Sequence, residues 1–169
     1  ALRLSGQAPA NGILYVSKSG AGGAVRVVNG SQLPSGGLTV ASESPVYVQG
    51  DYNTVSKQPA AVLADAITVL SNNWGSNNSD SKGNLVTSAR SATSTTVNAA
   101  FALGPSAESA VNQGNGQLEN VIRFLENWSG DTFTYQGSIV SLWHSQRATG
   151  AWRTTGESGT SYYQAPIRT

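Results

Sequence analysis

The sequence predicts an all-β fold of the solenoid type, a right-handed parallel β-helix with one short packing or capping helix, in a single domain over residues 1–169. Three observations lead there. Short β-favouring runs end at glycine or asparagine and recur about every eight to thirteen residues, a spacing that by itself suits a sandwich, a barrel or a β-helix equally. A strand, a Gln-Gly turn and a longer apolar run occur twice, as Val46 to Gly50 with Val62 to Leu70 and as Phe133 to Gly137 with Ile139 to Trp143. Charged residues make up 11% of the chain against about a quarter in an average domain, with Gly, Ser, Thr, Asn and Ala in their place, which excludes charge-rich disorder and a helical bundle.

Taken in order, Leu2 and Leu4 alternate around Arg3 as a marginal first strand before a Gly/Pro/Asn turn. Ile13 to Val16 and Val25 to Val28 are strands, the second ended by Asn29-Gly30, where a hairpin and a coil corner are equally compatible. Leu38 to Val40 and Val46 to Val48 follow, the latter stopped by Gly50 and the turn Asp51-Tyr52-Asn53. Ala60 to Leu70 is nearly all apolar without alternation, which fits a buried strand, a bent pair of strands or a short helix; the β-branched Ile67-Thr68-Val69 favours strand for that half.

Asn72 to Thr96 is a Ser/Asn/Thr/Gly-rich excursion, read as a surface loop. Strand character returns over Thr95 to Gly104. Leu118, Val121, Ile122, Leu125 and Trp128 fall at helical spacing and predict an amphipathic helix over Leu118–Trp128. Asp131 to Trp143 predicts two strands broken at Gly137, and the tail Tyr162 to Ile167 is extended and apolar for a chain end.

The composition restricts the chemistry. Ten basic and nine acidic residues leave a charge of +1 with no basic patch among aromatics, so no nucleic-acid partner is expected. Without cysteine there is neither a disulfide nor a thiolate metal site, and no apolar run is long enough to span a membrane. The uncharged, Ser/Thr/Asn-rich, lysine-poor surface suits an extracellular or cell-surface protein, and the lack of any methionine points to a fragment or mature piece of a larger one.

No catalytic residue and no cofactor are expected. His144 is the only histidine, stands at a strand end, and has no nucleophile motif to serve. Asp51, Asp65, Glu126 and Asp131 are the acids that could pair for glycoside cleavage, and nothing in their spacing brings two together. Asp51 in Gly-Asp-Tyr-Asn reads as a turn carboxylate bonding its own backbone. Asp65, isolated in an apolar run, must face water or find donors, most simply backbone N–H groups at a corner. A cation held by Asp51, Asn53 and Asp65 is the one metal site conceivable, without the spacing of a calcium loop. Trp74, Trp128 and Trp143 each end an apolar run and read as core closures, with Trp152 exposed; the competing reading is a sugar-stacking surface. Gly50, Asp51, Asp65 and the three core tryptophans are thus the expected turn and core residues.

Three segments carry a family likeness: Val46 to Asn53, Pro59 to Trp74, and Arg123-Phe124-Leu125-Glu126-Asn127-Trp128, with Thr95 to Phe101 and Tyr162 to Pro166 in the same order. From Gly37 onward the chain resembles the C-terminal region of uncharacterised exported bacterial proteins, some of which begin with a type IV pilus accessory (PilX-like) segment. The resemblance implies a β-helical, surface or pilus-associated module and brings no active site with it. A β-helix has two open ends, each a template for another chain. Leu2, Leu4, Tyr162, Tyr163 and Ile167 are accordingly the candidates for strand addition between copies, giving a structural or adhesive module that self-associates head to tail. The rival expectation is a carbohydrate-active β-helix or sugar-binding module in contact with polysaccharide.

Overall fold

The computed structural model describes residues 9–18, 23–75, 90–105, 121–148 and 166–169. Twelve strands appear in these segments: β1 Ile13–Tyr15, β2 Val25–Val27, β3 Leu38–Ser42, β4 Val46–Gln49, β5 Ala60–Ala64, β6 Ile67–Leu70, β7 Thr95–Asn98, β8 Ala100–Leu103, β9 Arg123–Phe124, β10 Thr132–Gln136, β11 Ile139–Ser141 and β12 Ile167–Arg168. They form three sheets, ordered β1-β3-β5-β8-β11, β2-β4-β6-β9 and β12-β10-β7. Every pairing is parallel. Single parallel bridges, Tyr52 to Val97 and Gln32 to Val55, continue the third sheet's direction back toward the start of the chain.

Register exposes the repeat. Val25 lies beside Val46, Val46 beside Ile67, and Leu38 beside Ala60, each pair some 21 or 22 residues apart. The next layer comes later in sequence: Ala61 pairs with Ala100 and Thr68 with Arg123, because the connections through 76–89 and 106–120 are longer. The sequence echo between Val46–Gln49 and Phe133–Gln136 has another basis, since β4 and β10 belong to different sheets. The likeness reflects a shared strand-then-glycine ending, with Gly50 and Gly137 each packed where a Cβ would strike a neighbouring layer.

Inward residues form columns that cross the layers. Leu14, Val40, Val62, Phe101 and Ile139 stack in the first sheet, and Val27, Val48, Val69 and Phe124 in the second. Parallel strands offer one face to this interior, so β3 and β4 alternate buried and half-buried residues. The later layers fill the interior with aromatics. Phe124 meets Trp128 and Phe133 edge-on at 5.4 and 5.3 Å, while Phe101 packs on Tyr135 at 5.2 Å.

The helix expected over Leu118–Trp128 is absent from the part of it that is described, and no helix occurs among the described residues. Within residues 121–128, Arg123–Phe124 form a strand paired to Thr68–Val69, with bends at Ile122 and Glu126. Ile122, Phe124, Glu126 and Trp128 are buried at every second position. Ile122 and Trp128 fit both periods, and pairing with an existing parallel sheet decides for the strand because it provides backbone partners at Arg123–Phe124, with a further bridge from Asn127 to Ser91. Ala60 to Leu70 is the bent pair, β5 and β6, with its bend at Asp65-Ala66.

Candidate functional site

Three buried polar clusters tie layers together, and they contain Asp65, Glu126 and Asn53 of the residues singled out above. At the corner between β5 and β6, the carboxylate of Asp65 accepts the Ser145 hydroxyl at 2.6 Å, the Gln146 amide at 2.6 Å and the Arg147 amide at 3.1 Å. Its own carbonyl accepts the Gly104 amide. Gly104 makes the contact possible, since a Cβ there would lie 2.6 Å from the Ser145 nitrogen and 2.6 Å from the Trp143 ring. The covering segment is held further by the Arg123 guanidinium, which donates to the Ala148 carbonyl. Burial lowers the Arg123 pKa, and the nearby Tyr47 and Asp65 oppose that shift.

The second cluster is centred on Glu126, which is fully buried. Its oxygens accept the Ser71 amide at 2.6 Å and the Ser71 hydroxyl at 2.7 Å. Desolvation raises the Glu126 pKa, partly offset by the Ser71 hydrogen bonds and by the Arg90 guanidinium, while Asp131 adds to the rise. Ser71 ends one side of the excursion and Arg90 begins the return, where the Arg90 carbonyl accepts the Asn127 amide at 2.7 Å. Glu126 therefore acts on both ends of that connection.

The third cluster pairs Asn53 with Asn98. The Asn53 side-chain amide donates to the carbonyls of Gln58 and Asn98, its oxygen accepts the Gln58 amide, and the Asn98 side chain donates back to the Asn53 carbonyl at 3.1 Å. Asn53 has φ of 56°, the left-handed region that asparagine tolerates better than most residues.

Asp51 departs from expectation. Its carboxylate accepts the Thr96 amide, 45 residues on, at 2.8 Å, so it joins two layers instead of closing its own turn. Asp51 and Asn53 stand after β4 and Asp65 stands between β5 and β6, each with its own protein donors or acceptors; the three do not converge on a cation. Among the described residues no group of three or more His, Cys, Asp or Glu is arranged to hold a metal. Asp131 accepts the Ser94 hydroxyl. His144 is exposed.

The tryptophans separate. Trp128 is in the core, Trp74 is half-buried with its carbonyl accepting the Gln49 side chain, and Trp143 is 39% exposed, contrary to the core closure expected of it. The run before Trp143 is the last strand of its sheet among the described residues. Gly50 has φ of 76° and sits against the Asn72 side chain. Of the assembly candidates, Ile167 lies in β12 and is exposed, whereas Leu2, Leu4, Tyr162 and Tyr163, with Trp152, fall outside the described residues.

Ser145, Asn98 and the clamping role of Glu126 were not visible in the sequence. Glu126 did leave a trace, because a period-two reading places it between Phe124 and Trp128 on one face, where an acid needs a buried partner.

The fold and these clusters define an all-β protein of parallel sheets cross-linked by buried carboxylates and amides. Comparison with protein-family models, with curated proteins and with solved structures finds no match for the chain. No helix among the described residues is long and apolar enough to cross a membrane.

Proposed function

We propose that this chain is an exported structural or adhesive module whose three sheets are the faces of a β-solenoid, and that copies join head to tail by adding strands to the open sheet ends. One observation carries the reading: among the described strands, β1 and β2 lead two sheets at one end of the stack, and β11 and β9 finish the same two sheets at the other. At the two ends of the five-stranded sheet, β1 and β11 are the outermost described strands and, being parallel, offer edges in complementary directions, the condition for end-to-end addition. The resemblance to exported, pilus-associated bacterial proteins supports a surface location.

The carbohydrate-active reading draws less support. Asp51, Asp65 and Glu126 each accept backbone N–H groups within the fold, which commits them to holding turns instead of lining a groove. Electron microscopy together with light scattering over a wide concentration range tests the proposal. Filaments or concentration-dependent growth, abolished by deleting Leu2 to Gly12 or Tyr162 to Thr169, is the expected result. A monodisperse monomer at high concentration, unchanged by either deletion, removes it.

A further inference from the structure

The outer face of the five-stranded sheet differs from every other surface described above. Its strands, Ile13–Tyr15, Leu38–Ser42, Ala60–Ala64, Ala100–Leu103 and Ile139–Ser141, contain no charged residue. Register places Tyr15, Ala41, Leu63, Ala102 and Val140 in one outward row crossing all five strands. Ile13, Thr39, Ala61 and Ala100 form a second row beside it. Ile13 and Tyr15 are 52% and 59% exposed at one end, and Val140 and Leu142 are 43% and 62% exposed at the other. By contrast, the outer face of the second sheet is partly covered: Thr68 is buried there and Arg123 reaches the Ala148 carbonyl. An uncharged apolar surface of this continuity marks an interaction site.

We propose that this face docks against the same face of a second copy. The occupant follows from the row itself, which reads large, small, large, small, large. A two-fold axis parallel to the strands reverses the row into the same pattern. A shift of one strand, about 4.8 Å, then sets Leu63 over Ala102 and Val140 over Ala41 of the other copy and leaves Tyr15 at the margin. Leu63 enters the space over Ala102 of the partner copy, and the reverse contact is equivalent, as an isologous interface requires. Because neither face carries charge, docking desolvates no ion and meets no like-charge repulsion.

The area fixes the strength. After the shift four strands of about four residues overlap over roughly 19 by 13 Å, so two faces together bury roughly 500 Å², at the lower end of weak, transient contacts. A single pair is therefore a weak dimer. Copies stacked end to end would repeat the face along the stack and gain by avidity. The face lies perpendicular to the open sheet ends, and pairing through it does not depend on head-to-tail assembly.

Sedimentation velocity on the full chain from about 1 to 500 μM, with Leu63→Glu and Leu63→Lys alongside, tests the proposal. Wild type is expected to show a reversible dimer in the upper part of that range. Each variant alone is expected to weaken it at least tenfold, while an equimolar mixture of the two restores it through opposed charges. Circular dichroism of each variant reports the fold, and recovery in the mixture is a gain that unfolded protein could not produce. Wild type that stays monomeric overturns the proposal, as does association that either charge leaves unchanged. Adsorption to microcrystalline cellulose without self-association also overturns it, and assigns the face to a polysaccharide surface.

Discussion

The Ser145 hydroxyl donates to the Asp65 carboxylate at 2.6 Å across 80 residues of sequence. The contact reaches past Gly104, whose lack of a side chain leaves room for the 143–145 backbone to come close. One carboxylate thereby fixes the start of the segment that follows the last strand of the five-stranded sheet.

Asp65→Ala removes the acceptor for one hydroxyl and two amides, and hydrogen bonds to a charged group carry more than neutral ones. The expected loss is about 3 kcal/mol in urea unfolding. Amide hydrogen exchange at Gln146 and Arg147 should accelerate more than at the central strand β5. Ser145→Ala should cost less, about 1 to 2 kcal/mol, because both amides keep their acceptor.

Gly104→Ala introduces a methyl group 2.6 Å from the Ser145 nitrogen and 2.9 Å from the His144 carbonyl carbon. Backbone atoms must move, and overpacking of this kind costs about 1 to 3 kcal/mol. The resulting exchange pattern should match that of Asp65→Ala, since both changes detach the same segment.

Asn53→Asp replaces a side-chain donor facing the carbonyls of Gln58 and Asn98 with an oxygen. Two donated bonds become two repulsions in a buried site, and a loss of about 3 to 5 kcal/mol is expected. Thermal unfolding should show it. Asn98→Asp should have a smaller effect, because the Asn98 side chain donates one such bond, at 3.1 Å.

Glu126 links stability to pH. Burial raises its pKa from the ordinary 4.5, so over the interval between the two values the folded protein binds more protons than the unfolded chain, and stability falls as pH rises through it. The stabilisation from this group is complete below the unfolded value and is lost above the folded one. Glu126→Gln keeps the shape, and the Ser71 hydroxyl can turn to accept from the new amide. Relative to wild type, this variant should gain stability as pH rises through the interval and differ little below it. Urea titrations of both proteins at several pH values measure the difference.

How much of this could be read beforehand depended on the range of the interaction. The strands are local: β-branched runs stopped by Gly50 or Asn29 announce themselves, and most lie where the sequence predicts. An acid isolated in an apolar run demands donors, which singles out Asp65, but the donors are 80 residues away and no local pattern names them. Residues 121–128 show a harder failure. Val121, Ile122, Leu125 and Trp128 fit a helical face, and only the parallel partner β6 selects the strand. Asp51 misled for the same reason: its turn-like setting suggests a local bond, and its partner is the distant Thr96.

The neck closed by Glu126 has a further use. Ser71 and Arg90 leave and rejoin the body at neighbouring points, and the Asn73 side chain donates to the Ser91 carbonyl across the gap. Doubling or halving the chain between such anchored ends changes the closure cost by only about 0.6 kcal/mol. The junction is thus a natural insertion point, where a foreign peptide could be joined between Gly75 and Arg90 while Ser71, Asn73 and Ser91 keep the hydrogen bonds that hold the two ends together.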